Sequence, residues 1–392
     1  MNNNQDVAQF PCKICGRNEL EEFHQFGDLC RVTSDCKPFA AGGRLAMCGA
    51  CGAVQKPADA NWLAEIDEIY GSYTAYYQSS GVEQAVFDPA KGEPNTRSAA
   101  ILRRLADVHA LGDRGNLLDV GCGNGVMLTA FSNQFPKWAL HGQDLSEIAL
   151  DQLSKIPGFR KLFTVPPGEI DAQFDMITMV HSLEHFPDPI AGLKGIKPLV
   201  GKVGCLLVQV PNAEVNPFDY LVADHASHFT RADFVRLLKA SGLEAPIITD
   251  DWVTKELSVV ANLDQTAEHP DIAPALPDQV RKLVTAQIDW LTAVVRESKD
   301  ASKEGREFGI FGTSIAAMWL FGQLGDAVSF FVDEDESRRG TMLHGKRVYH
   351  PTDLSADKIV YAGLIPHVAR AVADRLAKVG IDMRVPPEIV IS

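Results

Sequence analysis

The chain has 392 residues, 46% apolar and 22% charged, and its 37 Lys and Arg against 51 Asp and Glu leave a formal charge of −14. That usage excludes a mainly disordered chain, a collagen-like repeat and a disulfide-stapled miniprotein. So acidic a chain, with no run of five Lys or Arg, is a poor reader of a nucleic-acid backbone.

No stretch approaches the roughly 20 apolar residues that cross a bilayer. The first residues lack the basic and apolar regions of a signal peptide. The expected location is cytoplasmic, with neither membrane nor nucleic acid as partner. In that compartment the eight cysteines read as thiols or metal ligands rather than disulfides.

Six of the eight lie between residues 12 and 51 and mark a first module, residues 1–70. Cys12-x2-Cys15 and Cys48-x2-Cys51 form two knuckles, with Gly16 and Gly52 after the second cysteine of each. Four thiolates at tetrahedral corners suit a structural Zn2+ and leave no open position for catalysis. Cys30 and Cys36 lie between the pairs and leave an alternative ligand set open.

Residues 70–77 (YGSYTAYY) form a tyrosine-rich connector into a second unit, 71–262. There a helix is expected over 96–108 and a buried strand over 117–120. Another helix follows over 126–135, a strand over 140–143 and a helix over 146–156. Strands over 176–180 and 204–210 and a helix over 232–241 complete it. Strands alternating with helices predict a parallel sheet with crossovers. Pro270, Pro274 and Pro277 mark a linker, and 278–299 reads as one amphipathic helix, together spanning 263–304. Strands over 308–311, 328–332 and 359–362 predict a smaller α/β unit, 305–392.

The chemistry-bearing motif is Leu118-Asp119-Val120-Gly121-Cys122-Gly123-Asn124-Gly125, between a strand and a helix. Val126 breaks a dinucleotide fingerprint, which argues against a nicotinamide enzyme. Asp119 before the loop suits a cationic or hydroxyl-rich ligand, and Asp144, ending the next strand, can accept both hydroxyls of a ribose. Two histidine clusters fall where an open α/β sheet binds ligands: His181 with His185, and Asp224-His225-Ala-Ser-His228. A histidine titrating near neutrality can take a proton from a nucleophile, and an acid beside it can orient it.

These residues resemble the class I S-adenosylmethionine-dependent methyltransferases. The resemblance implies a Rossmann-like domain in which Gly121, Gly123 and Gly125 wrap the methionine part of the cofactor. Asp119 would lie near its amino group, Asp144 and Leu145 at its ribose, and Tyr76 and His181 would complete the pocket.

The order of modules, with Phe308-Gly-Ile-Phe-Gly-Thr-Ser314 and Phe331-Val-Asp-Glu-Asp-Glu-Ser-Arg-Arg-Gly340 near the C-terminus, resembles the three-domain, zinc-containing sugar C-methyltransferases. That resemblance implies a nucleotide-linked sugar as acceptor and a C-terminal domain that helps hold it, with Arg338 and Arg339 as phosphate partners. It puts the catalytic acid–histidine pair on Asp224 and His225, with His181 assisting. The segment Val222-Ala223-Asp224-His225 departs from the family's Tyr-His-Glu-His, which leaves the methylated atom open among C, O and N. Two alternatives stand. One is metal-assisted O-methyl transfer on His181, His185, Asp224, His225 and His228. The other is a non-catalytic scaffold that binds S-adenosylmethionine.

Overall fold

The computed structural model describes residues 7–73, 85–88, 93–263 and 270–391. Tyr76, expected in the cofactor pocket, lies outside the described residues.

The central unit is built on seven strands. These are β1 (Asn116–Val120), β2 (Ala139–Gln143), β3 (Phe159–Phe163), β4 (Phe174–Val180), β5 (Val200–Pro211), β6 (Glu244–Thr249) and β7 (Glu256–Asn262). They lie in the order β3-β2-β1-β4-β5-β7-β6, with β7 antiparallel to both its neighbours and the others parallel. Leu117, Leu118, Ile177 and Leu207 are fully buried, as befits strands covered on both faces. The strand order reverses between β1 and β4, and ligands bind in the crevice that such a reversal opens at the carboxyl ends.

Local chemistry fixes the helices that flank this crevice. Thr96 caps Arg97–Val108 through Ala99 N–H. Thr230 and Asp233 form a reciprocal capping box on Arg231–Ser241, and Gly242 closes that helix in the left-handed region. The expected helix over 146–156 shrinks to Leu150–Leu153. Asp144 accepts from the Ser146 N–H and the Ser146 hydroxyl accepts from the Ile148 N–H, and such local side-chain bonds compete with a helix start.

Around the cysteines, four short antiparallel strands pair in the order Leu20–Glu22, Ala46–Cys48, Val54–Gln55 and Ser227–His228. The last of these comes from the central unit's histidine segment. A parallel bridge between Val32 and Val222 adds a second tie.

Pro277–Ala301 is a packed helix rather than a free linker. Its Val284, Ile288, Leu291 and Val294 share one core with Phe26, Val32 and Leu45 of the first module and with Trp319 of the last unit. Burying each such aliphatic contributes roughly 1.5–3 kcal/mol. The last unit is a six-stranded sheet around Phe308–Phe311, which pairs in parallel with Phe330–Val332 and Ile359–Ala362.

Candidate active site

The loop after β1 turns on glycine geometry. Gly121, Gly123 and Gly125 all have positive φ. A Cβ on Gly121 would stand 2.6 Å from Ser182 Cβ, and one on Gly125 2.6 Å from Leu153 Cδ2, so backbone and neighbours meet with no room for a side chain. The Gly121 and Cys122 N–H groups donate to the Gln143 carbonyl, at 2.8 and 3.0 Å. The Gly123 N–H donates to Asp144 Oδ2 at 3.0 Å. The loop and the acid after β2 therefore form one rigid corner. Leu145 (77% exposed) and Ile148 (89%) leave an apolar surface beside that acid.

Asp119 lies buried beneath the loop and accepts from the Thr178 hydroxyl at 2.7 Å. Burial lifts it to about 7. A carboxyl poised this way is ready to ionise against an arriving cation.

His181 follows β4 in the left-handed region, φ +52°, and its N–H donates to the Gln209 carbonyl of β5. Its Nδ1 is 3.2 Å from Glu184 Oε1 and its Nε2 3.1 Å from Glu256 Oε1. Burial opposes the charged form, but Glu256 and then Glu184 outweigh it and hold His181 at about 9. Gln209 Nε2 and Arg97 also engage Glu256.

The second cluster pairs differently from the sequence expectation. Asp224 does not hold His225. Its carboxylate accepts from the Ser34 N–H and hydroxyl, and lies 3.3 Å from His185 Nδ1. His225 Nδ1 instead meets Asp219 Oδ1 at 2.7 Å, and the other oxygen of Asp219 meets His228 Nδ1 at 2.6 Å. Burial works against the Asp219 charge, but the two imidazoles hold it well below the usual carboxylate range. Burial drives His228 down to about 4. The His185 and His225 rings cross edge to face, 4.7 Å apart.

Asp219 has no motif around it, and its placement is tertiary. Phe218 packs edge-on against Trp290 of the long helix and Trp319 of the last unit, and the Tyr220 hydroxyl donates to Gln287 Oε1 at 2.8 Å. From the other side, Lys56 of the first module donates to the carbonyls of Val222 and His225. Glu184, Glu256, Asp219 and Lys56 are the residues that the sequence reading missed: the partners of Glu256 and Lys56 are far away in the chain, and no helical or strand periodicity marks the short-range pairs of Glu184 with His181 and Asp219 with His225 and His228.

The thiols of Cys12, Cys15, Cys48 and Cys51 offer four sulfurs within 4.8 Å of one another. Cys12 and Cys51, and Cys15 and Cys48, are each 3.6 Å apart, close to the ~3.8 Å that Zn–S bonds of about 2.3 Å would set in a tetrahedron. Cys30 and Cys36 take no part. Cys30 Sγ lies 3.8 Å from the Gly322 carbonyl, and Cys36 is buried elsewhere with its thiol pushed up to about 12. In the last unit Arg338 is buried against Asp333 and Thr313, and Arg339 pairs with Asp353 and Glu336, so carboxylates already neutralise both expected phosphate partners.

This topology, with a glycine loop after β1 and an acid after β2, is that of a Rossmann-like methyltransferase fold. A family model described as "Methyltransferase domain" matches residues 94–245. The chain is 25% identical over 184 residues to a malonyl-[acyl-carrier protein] O-methyltransferase of Magnetococcus marinus, over 45% of this chain and 63% of that one. It is 30% identical over 115 residues to a ubiquinone biosynthesis O-methyltransferase of Pseudomonas paraeruginosa, over 27% of this chain and 48% of that one. It thus spans less than two thirds of either relative. A solved S-adenosylmethionine-dependent methyltransferase from Clostridium acetobutylicum aligns at 15% identity and TM-score 0.37, over 52% of this chain and 98% of that one. Among the described residues, no helix is long and apolar enough to cross a membrane.

Proposed function

We propose that the protein transfers a methyl group from S-adenosylmethionine to a small-molecule acceptor, a nucleotide-linked sugar or related biosynthetic intermediate, with His225 as general base and a structural Zn2+ on the four cysteines. The observation that carries this reading is that the glycine corner after β1 and β2 and the histidine segments after β4 and β5 follow the same ends of parallel strands, with Gly121 backed onto Ser182 beside His181. When bound, the cofactor supplies a methyl group on a cationic sulfur.

The chain's own residues do the rest. Gly121, Gly123 and Gly125 admit the methionine part, Asp119 answers its ammonium and Asp144 its ribose. His181, already paired with two carboxylates, serves as a fixed charge. His225, its Nδ1 occupied by Asp219, would accept the acceptor's proton at Nε2 and so free the nucleophile's electron pair.

Both relatives are named O-methyltransferases, and the family model leaves the first module and the last unit uncovered. The acceptor is recognised in those added parts. The test offers the protein methyl-labelled S-adenosylmethionine with nucleotide-linked keto sugars, phenols and carboxylic acids. Transfer to the sugars is expected. Transfer to phenols or acids alone overturns the sugar reading.

A second reading has two donor sets behind it, Glu184 with His185 and His225 and Asp219 with His225 and His228, and within each set the donor atoms lie within 4.8 Å of one another. Such a set would suit a divalent ion bound to an acceptor hydroxyl. Activity lost to a chelator and restored by Mg2+, with the cysteine-bound zinc unchanged, would favour it.

A further inference from the structure

Resting on His225 as base, we infer that Asp219, and not its sequence neighbour Asp224, is the positioning residue of the site, and that it fixes the proton-accepting face of His225 by clamping two imidazoles at once. An ionised carboxylate has only acceptor sites. With both Nδ1 atoms at hydrogen-bond distance, at 2.7 and 2.6 Å, each must carry its hydrogen on Nδ1. His225 is then left with a bare Nε2, the atom able to take a proton. When it does, Nδ1–H stays on Asp219 and the new imidazolium is paired with that carboxylate, as in an acid-oriented catalytic histidine.

His228 is the second jaw of the clamp. Its ring is buried against Tyr220, centroids 5.1 Å apart, and its Nε2 is buried without a partner among the described residues. A group so placed stays neutral and holds Asp219 Oδ2 in place without competing for the substrate's proton. The other titratable groups facing His225 are Glu184 and His185 after β4, Asp224 on its own segment and Lys56 of the first module.

The experiment uses full-length protein labelled with 15N in histidine and saturated with S-adenosylhomocysteine. Resonances are assigned with His225→Gln and His228→Gln. The wild-type spectrum alone is decisive on the tautomer: Nδ1–H on both rings is expected, and Nε2–H on His225 overturns the proposal.

Asp219→Asn, which keeps the shape but turns one accepting oxygen into a donating amide, should move the hydrogen to Nε2 on one of the two rings. It should cut turnover of an acceptor found as above about 10³-fold, with S-adenosylhomocysteine affinity within twofold. Asp224→Asn should leave Nδ1–H on both rings. Nδ1–H kept on both rings in Asp219→Asn, or lost from His225 in Asp224→Asn, overturns the assignment. Full turnover in His225→Ala would instead sink the base reading and leave the tautomer result standing.

Discussion

The glycine corner and the histidine cluster occupy the same end of the same sheet, but they are assembled in different ways. The corner is written within 26 residues, from Asp119 to Asp144, and two adjacent strands with one tight turn complete it. The cluster draws on all parts of the chain. Ser34 and Lys56 come from the first module, Glu184 follows β4, and Asp219 stands between residues anchored on the long helix and the last unit. The corner therefore lies wholly within the central domain, whereas Ser34, Lys56, Trp290 and Trp319 reach the cluster or its flanking residues from outside residues 94–245, the span of the methyltransferase family model.

Variants that strike one region and spare the other test this division. The largest expected effect is His225→Ala, which should lower turnover by roughly 10²–10⁴ while calorimetry shows unchanged cofactor affinity. Parallel loss of affinity would show the two regions to be one. In the opposite sense, Asp144→Ala should weaken cofactor binding roughly 10–100-fold through lost charge-assisted hydrogen bonds. It should leave the His225 resonances in place.

pH separates the regions as well. Asp119 sits at about 7 in the free protein, and a cation prefers its ionised form. Binding below pH 7 must therefore expel a proton. Cofactor affinity should fall up to about tenfold per unit as pH drops below about 7, and be flat above it. Asp119→Asn should abolish the slope. Calorimetry in buffers from pH 5.5 to 8.5 would show either outcome.

The smallest effect is expected from Lys56→Met. It removes the donor to the Val222 and His225 carbonyls and should slow turnover about three- to tenfold, with cofactor affinity intact. A loss of affinity there would break the division between module and domain.

The difference between the regions also explains what could be read beforehand. Positive φ at Gly121, Gly123 and Gly125, and an acid at the end of the next strand, are local demands, and the sequence met them visibly. Strand β3 escaped notice because Arg160 and Lys161 interrupt its apolar run, and β6 and β7 were not expected either. The pairing of Asp224 with His225 failed for a geometric reason. Adjacent side chains on a non-helical segment leave the backbone in different directions. Asp224 turns to Ser34 and His185, and His225 turns to Asp219.

By itself the sequence determined the methyltransferase fold, the glycine–acid corner and the four-cysteine cluster, because each rests on residues whose spacing the backbone converts directly into geometry. Which carboxylate meets which imidazole was decided only by the tertiary structure. A buried charge needs a partner at hydrogen-bond distance, and the partner is whichever group the packing of Phe218, Trp290 and Trp319 brings there.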